Sequence, residues 1–209
     1  MRTLVIDTAT QALSVALFDG ASLLAHHHEM AGRGHAERLM PAIAALPDGG
    51  RARRIAVDVG PGSFTGVRIG LAAAKALAFA WDASLDGFSA MSLVAAAARE
   101  GGPEQWPVAV AITGGHGELF WRTFDADLTP LAELESVPIA TLASRVSASA
   151  IYGSGAEALV AARGFGAAIS LFPDVRLFPQ LPPAALLPPT PVYGRGADAK
   201  PMAARAGAA

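Results

Sequence analysis

The sequence predicts an α/β protein in which one unit, a mixed sheet flanked by helices, is built twice. Three observations carry that expectation. Short apolar runs rich in β-branched residues alternate with helix-period segments along the chain. A strand–turn–strand pattern at the N-terminus reappears at mid-chain, and the break Gly101-Gly102-Pro103 lies between the two occurrences. The expected units are therefore residues 1–102 and residues 103–209.

The elements follow in order. Residues 3–8 form an apolar strand, and residues 12–18 alternate Leu13, Val15 and Leu17 against Ser14 and Ala16, a strand with one buried face. Asp19-Gly20 is a tight hairpin signal, since both residues tolerate positive φ, and it leads into a third strand over 22–29. Leu39, Ile43 and Leu46 recur at helical spacing. Pro41 inside that pattern marks a kink or a late helix start. A buried strand over 55–59 meets the sharp loop Gly60-Pro61-Gly62-Ser63, and Ser63 or Thr65 caps a long helix to about Ala80. A strand over 84–88 and a helix capped by Ser89 or Ser92 close the first half. The second half restarts with strands over 108–113 and 118–125. A short helix over 141–145, a strand over 148–152 and a helix over 156–162 follow. The proline-rich segment 172–191 is expected to cross the surface in extended form, and the stretch from Arg195 onward to be weakly ordered.

Composition narrows the chemistry. With 52% hydrophobic and 16% charged residues, a sizeable core is expected. The absence of cysteine excludes disulfides, thiolate zinc sites and cysteine nucleophiles. A net charge of −2 makes the chain a poor stand-alone binder of nucleic acid. Asp7 interrupts the N-terminal apolar run, which argues against a signal peptide, and no membrane span is expected. A cytoplasmic location follows as the default.

The windows IDTATQALSVALFD (6–19) and ITGGHGELFWRTFD (112–125) align without a gap at an offset of 106, with four identities: Ile6 with Ile112, Leu13 with Leu119, Phe18 with Phe124, and Asp19 with Asp125. A duplicated sheet whose halves each open with strand–turn–strand is the plan of the actin-like ATPases, a ribonuclease H-like fold. There the two turns face each other across the nucleotide phosphates and supply carboxylates that hold Mg²⁺. Here the first turn carries Asp7, Thr8 and Thr10 as a vestigial phosphate turn, but the position equivalent to Asp7 is the neutral Thr113. The pair expected for phosphoryl transfer is thus half dismantled, which weakens a small-molecule phosphotransferase reading. In the alternative, Asp7 bonds only turn amides.

Gly62, Gly66, Gly70, Ala74 and Ala78 recur every fourth residue, a ridge of small side chains on one helix face. Each helix-interior glycine costs about 0.5–1 kcal/mol against alanine, so the ridge needs a packing reason. It lies either against the protein's own sheet or against a partner helix.

GPGSFTGVRIG (60–70) resembles, nearly word for word, the signature of the bacterial TsaB family. IDTAT at the N-terminus, HAERL (35–39), GELFW (117–121) and PVYGRGADAKP (191–201) resemble the same family in the same order. The resemblance implies an actin-like fold without a catalytic residue of its own. It implies a non-catalytic role beside the catalytic subunit TsaD and the ATPase TsaE, making N6-threonylcarbamoyladenosine next to the anticodon of tRNA. Such a chain reaches tRNA only through the complex and brings no cofactor of its own, with ATP or ADP at the contact with its partner. The resemblance also places a partner, TsaD or a second copy of this chain, on a face formed by His35, Arg38, Leu39, Gly66, Arg68, Ile69, Gly70 and Ala73. No metal is expected. The histidine pair four residues apart that TsaD-like sites use is broken by Leu39 after His35, and His26-His27-His28 at strand spacing points to alternating faces. A metallopeptidase reading lacks its ligands for the same reason. The turn Thr113-Gly114-Gly115-His116 and the short segment 45–54 depart from the family pattern.

Overall fold

The structure, a computed structural model, describes residues 1–194. It contains two five-stranded mixed sheets. The first comprises β1 (Arg2–Asp7), β2 (Ala12–Asp19), β3 (Ser22–Met30), β4 (Arg54–Asp58) and β5 (Ser84–Phe88), in spatial order β3-β2-β1-β4-β5. The second comprises β6 (Val108–Thr113), β7 (Glu118–Phe124), β8 (Glu135–Pro138), β9 (Ala150–Tyr152) and β10 (Ala167–Ile169), in order β10-β9-β6-β7-β8. Read from the opposite edge, the second order is that of the first. In both, the opening three strands run antiparallel and the last two join in parallel. Helices repeat the correspondence: α1 (His35–Ala44) and α2 (Phe64–Trp81) match α4 (Ile139–Arg145) and α5 (Ala156–Arg163). The fold is the duplicated actin-like plan, and the hairpins at Thr8 and Thr113 lie in separate sheets as expected.

The gapless echo that suggested this is only partly structural. Asp7 pairs with Ser14 in the first hairpin, but Thr113 pairs with Leu119 in the second, so the second turn is one residue shorter. The return strands are therefore offset by one, which reverses faces. Of the four identities, Ile6 with Ile112 alone is spatially equivalent.

A third pair-linked helix, α3 (Ala90–Glu100), lies between the two sheets. Leu93 packs with Val5, Ala16 and Phe88 of the first sheet, while Met91, Val94 and Ala98 pack with Val108, Val110 and Phe124 of the second. A helix enclosed from both sides is apolar all round, and residues 90–96 are all buried. Outside this layer, α1 and α2 cover the other face of the first sheet through Leu39, Ile43, Val67 and Leu71. On the far side of the second sheet, Leu142 of α4 and Leu159 of α5 do the same.

Three expectations need correction. α1 begins at His35 and runs through Pro41, which sits on its exposed side. Short strands β8 and β10 were not foreseen; at four and three residues they are too short to show alternation. The proline-rich segment is not extended throughout: most of it is exposed or half-buried, but 3-10 turns over Val175–Gln180 and Pro183–Ala185 anchor it on the first sheet. Val175 and Phe178 are buried there, with the Phe178 ring 5.3 Å from Phe88. Leu187 then bridges Gly87, and the Val192 amide donates to the Val59 carbonyl. The expectation for the chain from Arg195 onward lies outside the described residues.

α2 is long and apolar enough to span a membrane by length and composition. One face of it, through Gly66, Val67, Gly70, Leu71, Ala74 and Ala78, is buried instead in this fold.

Candidate functional site

The sequence points to two places, the turn after β1 and the ridge on α2. In the structure they are one assembly. Ser63 caps α2, its hydroxyl accepting from the Gly66 amide at 3.3 Å, and its own amide donates to the Ala9 carbonyl at 2.6 Å. The Thr8 hydroxyl donates to the Gly66 carbonyl at 2.8 Å. A Cβ at Gly62 would collide with the Ala9 carbonyl, and one at Gly66 with the Thr8 carbonyl. At Gly70 it would lie 2.6 Å from the Thr8 hydroxyl oxygen. The glycine ridge thus exists so that α2 can lie on the turn's backbone. Thr8 has no free hydroxyl for a phosphate, Asp7 and Thr8 are buried, and Thr10 alone keeps partial exposure. The vestigial phosphate turn is thus covered by its own helix.

The same packing divides the expected partner face. His35, Leu39, Gly66 and Gly70 are buried within the first unit, and the His35 ring contacts the Ala12 carbonyl oxygen at 3.2 Å. In the single chain they present almost no surface to a partner. Arg38 and Arg68 are exposed, and Ile69 and Ala73 are half-buried, in line with the exposed Ala72 and Ala76. Arg68 lies 3.4 Å over the Phe64 ring, and its Nε donates to the Tyr193 hydroxyl at 3.2 Å.

Behind the turn lies a feature the sequence reading missed. Parallel pairing of β1 with β4 sets Ile6 beside Val57, so Asp7 and Asp58, the terminal residues of neighbouring strands, come together. Both are almost completely inaccessible. Asp7 Oδ1 accepts from the Ala9 amide at 2.8 Å. Asp58 Oδ1 accepts from the Gly60 amide at 2.8 Å and from the Ala90 amide at 2.9 Å, at the start of α3. Each Oδ2 is buried with no other donor. Two ionised carboxylates offer each other only acceptors, so a single proton between the Oδ2 atoms satisfies both. Burial pushes Asp7 up to about 6, opposed by its hydrogen bonds with Asp58 and the Ala9 amide. Burial, and then the charge of Asp7, hold Asp58 well above the usual carboxylate range. The pair as a unit therefore holds a proton above the usual carboxylate range. The signal was present, since VID and AVD both end apolar strands in Asp; recognising it required knowing that those strands are neighbours.

Asp58 does provide Asp7 with a second carboxylate, but not across a cleft. The pair is buried on the face of the sheet that α3 and Val175 cover, the Val175 amide donating to the Ser14 hydroxyl beside Asp7. Thr113, at the other turn, bonds Ser154 through both its amide and its hydroxyl. Among the described residues no group of three histidine, cysteine, aspartate or glutamate side chains could hold a metal ion. A cavity of about 790 Å³ opens at the opposite end of the second sheet, beside Trp106, Trp121 and Tyr152, remote from all of these residues.

The fold and the sealed turn define a class: an actin-like protein with closely packed first-unit helices and no opposed carboxylates. The family model described as TsaD, tRNA N6-adenosine threonylcarbamoyltransferase, matches residues 27–140. The protein named tRNA threonylcarbamoyladenosine biosynthesis protein TsaB of Escherichia coli is 38% identical over 133 residues, covering 61% of this chain and 56% of that protein. The TsaB protein of Bacillus subtilis is 36% identical over 104 residues, covering 47% and 45%. An uncharacterised protein of Mycobacterium tuberculosis is 30% identical over 218 residues, covering 96% and 94%. Among solved structures, YeaZ from Pseudomonas aeruginosa superposes with a TM-score of 0.75 at 27% identity, covering 92% of this chain and 99% of that one. The chain belongs to the TsaB family. Its matches span about half the length of the TsaB relatives from Escherichia coli and Bacillus subtilis.

Proposed function

We propose that this chain is a non-catalytic subunit that docks on a TsaD-like catalytic subunit in the formation of N6-threonylcarbamoyladenosine on tRNA in the cytoplasm. The observation that carries the reading is the sealed turn: Thr8 is spent on α2, Asp7 is buried on the Ala9 amide and beside Asp58, and the opposing turn offers Thr113 in place of a carboxylate. A chain with this fold and no opposed carboxylates acts by binding. A TsaE-like ATPase completes the assembly, a second copy of the chain competes for the same face, and any nucleotide lies at the contact with the partner. The names of the TsaB relatives support the process.

The docking face is the outer side of α2 and the adjoining α1, with Ile69, Ala72, Ala73 and Ala76 as a low stripe and Arg38 and Arg68 at its rim. Small exposed side chains let a partner helix approach closely, which multiplies dispersion contacts. Ala72→Arg changes an exposed position, so the fold is expected to hold within about 0.5 kcal/mol. Pull-down with a TsaD homologue is expected to fall at least about tenfold, because a bulky charge replaces a methyl at the contact. Undiminished capture by a normally melting variant would remove this face from consideration. The purified wild-type chain is also expected to turn over no ATP above background; turnover abolished by Asp7→Ala would favour the phosphotransferase reading.

A further inference from the structure

At the opposite end of α2 from the sealed turn lies a cavity of about 420 Å³, lined by Arg2, Arg51, Ala52, Arg53, Trp81 and Asp82. On a chain with 16 basic and 18 acidic residues, three guanidinium groups around one indole are a local departure from the average. Its construction is specific. Asp48, Gly49 and Gly50 all have positive φ, folding the chain back after α1 and leaving Arg51 and Arg53 exposed on either side of the buried Ala52. The Arg53 amide donates to the Arg2 carbonyl, which joins this segment to the start of β1. α2 stops here at Asp82, in a left-handed conformation, leaving Trp81 half-buried: one part packs on the first core and the rest faces the cavity.

The charges do not cancel. Arg2 is paired with Asp48, and Arg54 just beyond is paired with Asp86 at 2.8 Å. Arg51 and Arg53 form no salt bridge among the described residues, and Asp82 is the one carboxylate in the lining. Two unpaired guanidinium groups beside an indole suit a ligand with an anionic end and a flat aromatic end. Guanidinium binds phosphate oxygens in a fork, and a base stacks on an aromatic face. The volume is at the low end for small-molecule sites, about 300–1,000 Å³, which suits one nucleotide unit and not an extended duplex.

We propose that this cavity binds a nucleotide, its phosphate held by Arg51 and Arg53 and its base against Trp81. The source is either a single-stranded segment of RNA or a free mononucleotide. The RNA source rests on the tRNA reading above but adds a direct contact by this chain where only contact through the complex was expected, while the site chemistry stands without it. The position lies beyond the end of the docking stripe on the 18-residue α2: Trp81 is about 18 Å along the axis from Ile69 and about 7.5 Å from Ala76, the nearest member of the stripe.

The test uses the full chain at low ionic strength, with labelled unmodified tRNA, AMP and inorganic phosphate as separate probes, and thermal melting as a check on each variant. The double variant Arg51→Ala with Arg53→Ala is expected to melt normally, because both positions are exposed. It is expected to bind tRNA at least about tenfold more weakly and to lower the slope of log affinity against log salt by about 0.7, the value for one single-strand phosphate contact. Trp81→Leu is expected to weaken binding roughly five- to hundredfold, and Trp81→Phe to retain most of it, since a ring is what stacking requires. AMP binding lost in the same variants, with tRNA no tighter than AMP, would assign the free nucleotide as the source. Three results would each overturn the proposal: no binding of tRNA or AMP by the wild type, binding unchanged in both the arginine and the Trp81→Leu variants, or inorganic phosphate competing as well as AMP. Capture of the TsaD homologue by the double arginine variant separates the two readings: it is expected to persist whatever happens to the nucleotide.

Discussion

Asp58→Asn is expected to make the protein more stable at pH 8 by about 2 kcal/mol or more, an unusual sign for a buried substitution. In the native chain the Asp7–Asp58 pair retains protons that the unfolded chain releases near pH 4. The folded state therefore binds more protons than the unfolded state, and stability falls as pH rises. With Asp7 raised to about 6 and Asp58 higher still, the loss begins near pH 4 and continues through pH 6 and above. Asparagine reproduces the protonated form. Its carbonyl oxygen accepts from the Gly60 and Ala90 amides as Asp58 Oδ1 does, and its amide donates to Asp7 Oδ2. The variant is expected to match the wild type within about 1 kcal/mol near pH 4.5 and to show a flatter profile above pH 6. Urea denaturation at pH 4.5, 6 and 8 reads the difference. A variant destabilised equally at all three would show that no proton is shared. Asp58→Ala is expected to lose about 3–5 kcal/mol, because it leaves two amides and a buried carboxylate without partners.

Gly66→Ala is expected to cost about 3 kcal/mol, the upper end for overpacking, since the added methyl meets the Thr8 backbone carbonyl and not a flexible side chain. In a chain of this size that lowers the melting temperature by roughly 6–12 °C. Gly70→Leu, which would serve as a wedge against a partner if the ridge were exposed, is expected instead to fail in folding, with Thr8, Val57 and Ile6 around the new side chain. The contrast lies one helical face away: Ala72 and Ala76 are open to solvent and tolerate larger residues within about 0.5 kcal/mol. Thermal melting of Gly66→Ala beside Ala72→Arg measures the difference. Equal melting temperatures would mean that α2 does not press on the turn as the structure has it.

The sequence made legible the strand–turn–strand opening of each half and the long helix after Ser63, because patterns such as LSVALF and GPGSFTGVRIG specify local conformation and a buried face within a few residues, whereas the strand order came from long-range pairing. It also determined that a ridge of small residues must meet something at close range. It could not say what, because glycine at every fourth position is equally suited to a partner helix and to a neighbouring backbone; only the tertiary structure, with Thr8 and Ala9 beneath Gly62, Gly66 and Gly70, decided for the latter. The proline-rich segment was misread for a related reason. Proline excludes a long helix, but it says nothing of whether Val175 and Phe178 are buried by elements more than eighty residues earlier. The Asp7–Asp58 pair and the Arg51, Arg53 and Trp81 cavity depend wholly on such long-range placement. Local sequence dictates which way a side chain leaves its own strand or helix, whereas which charges end up adjacent, and whether water reaches them, is set by strand order and by what packs on top.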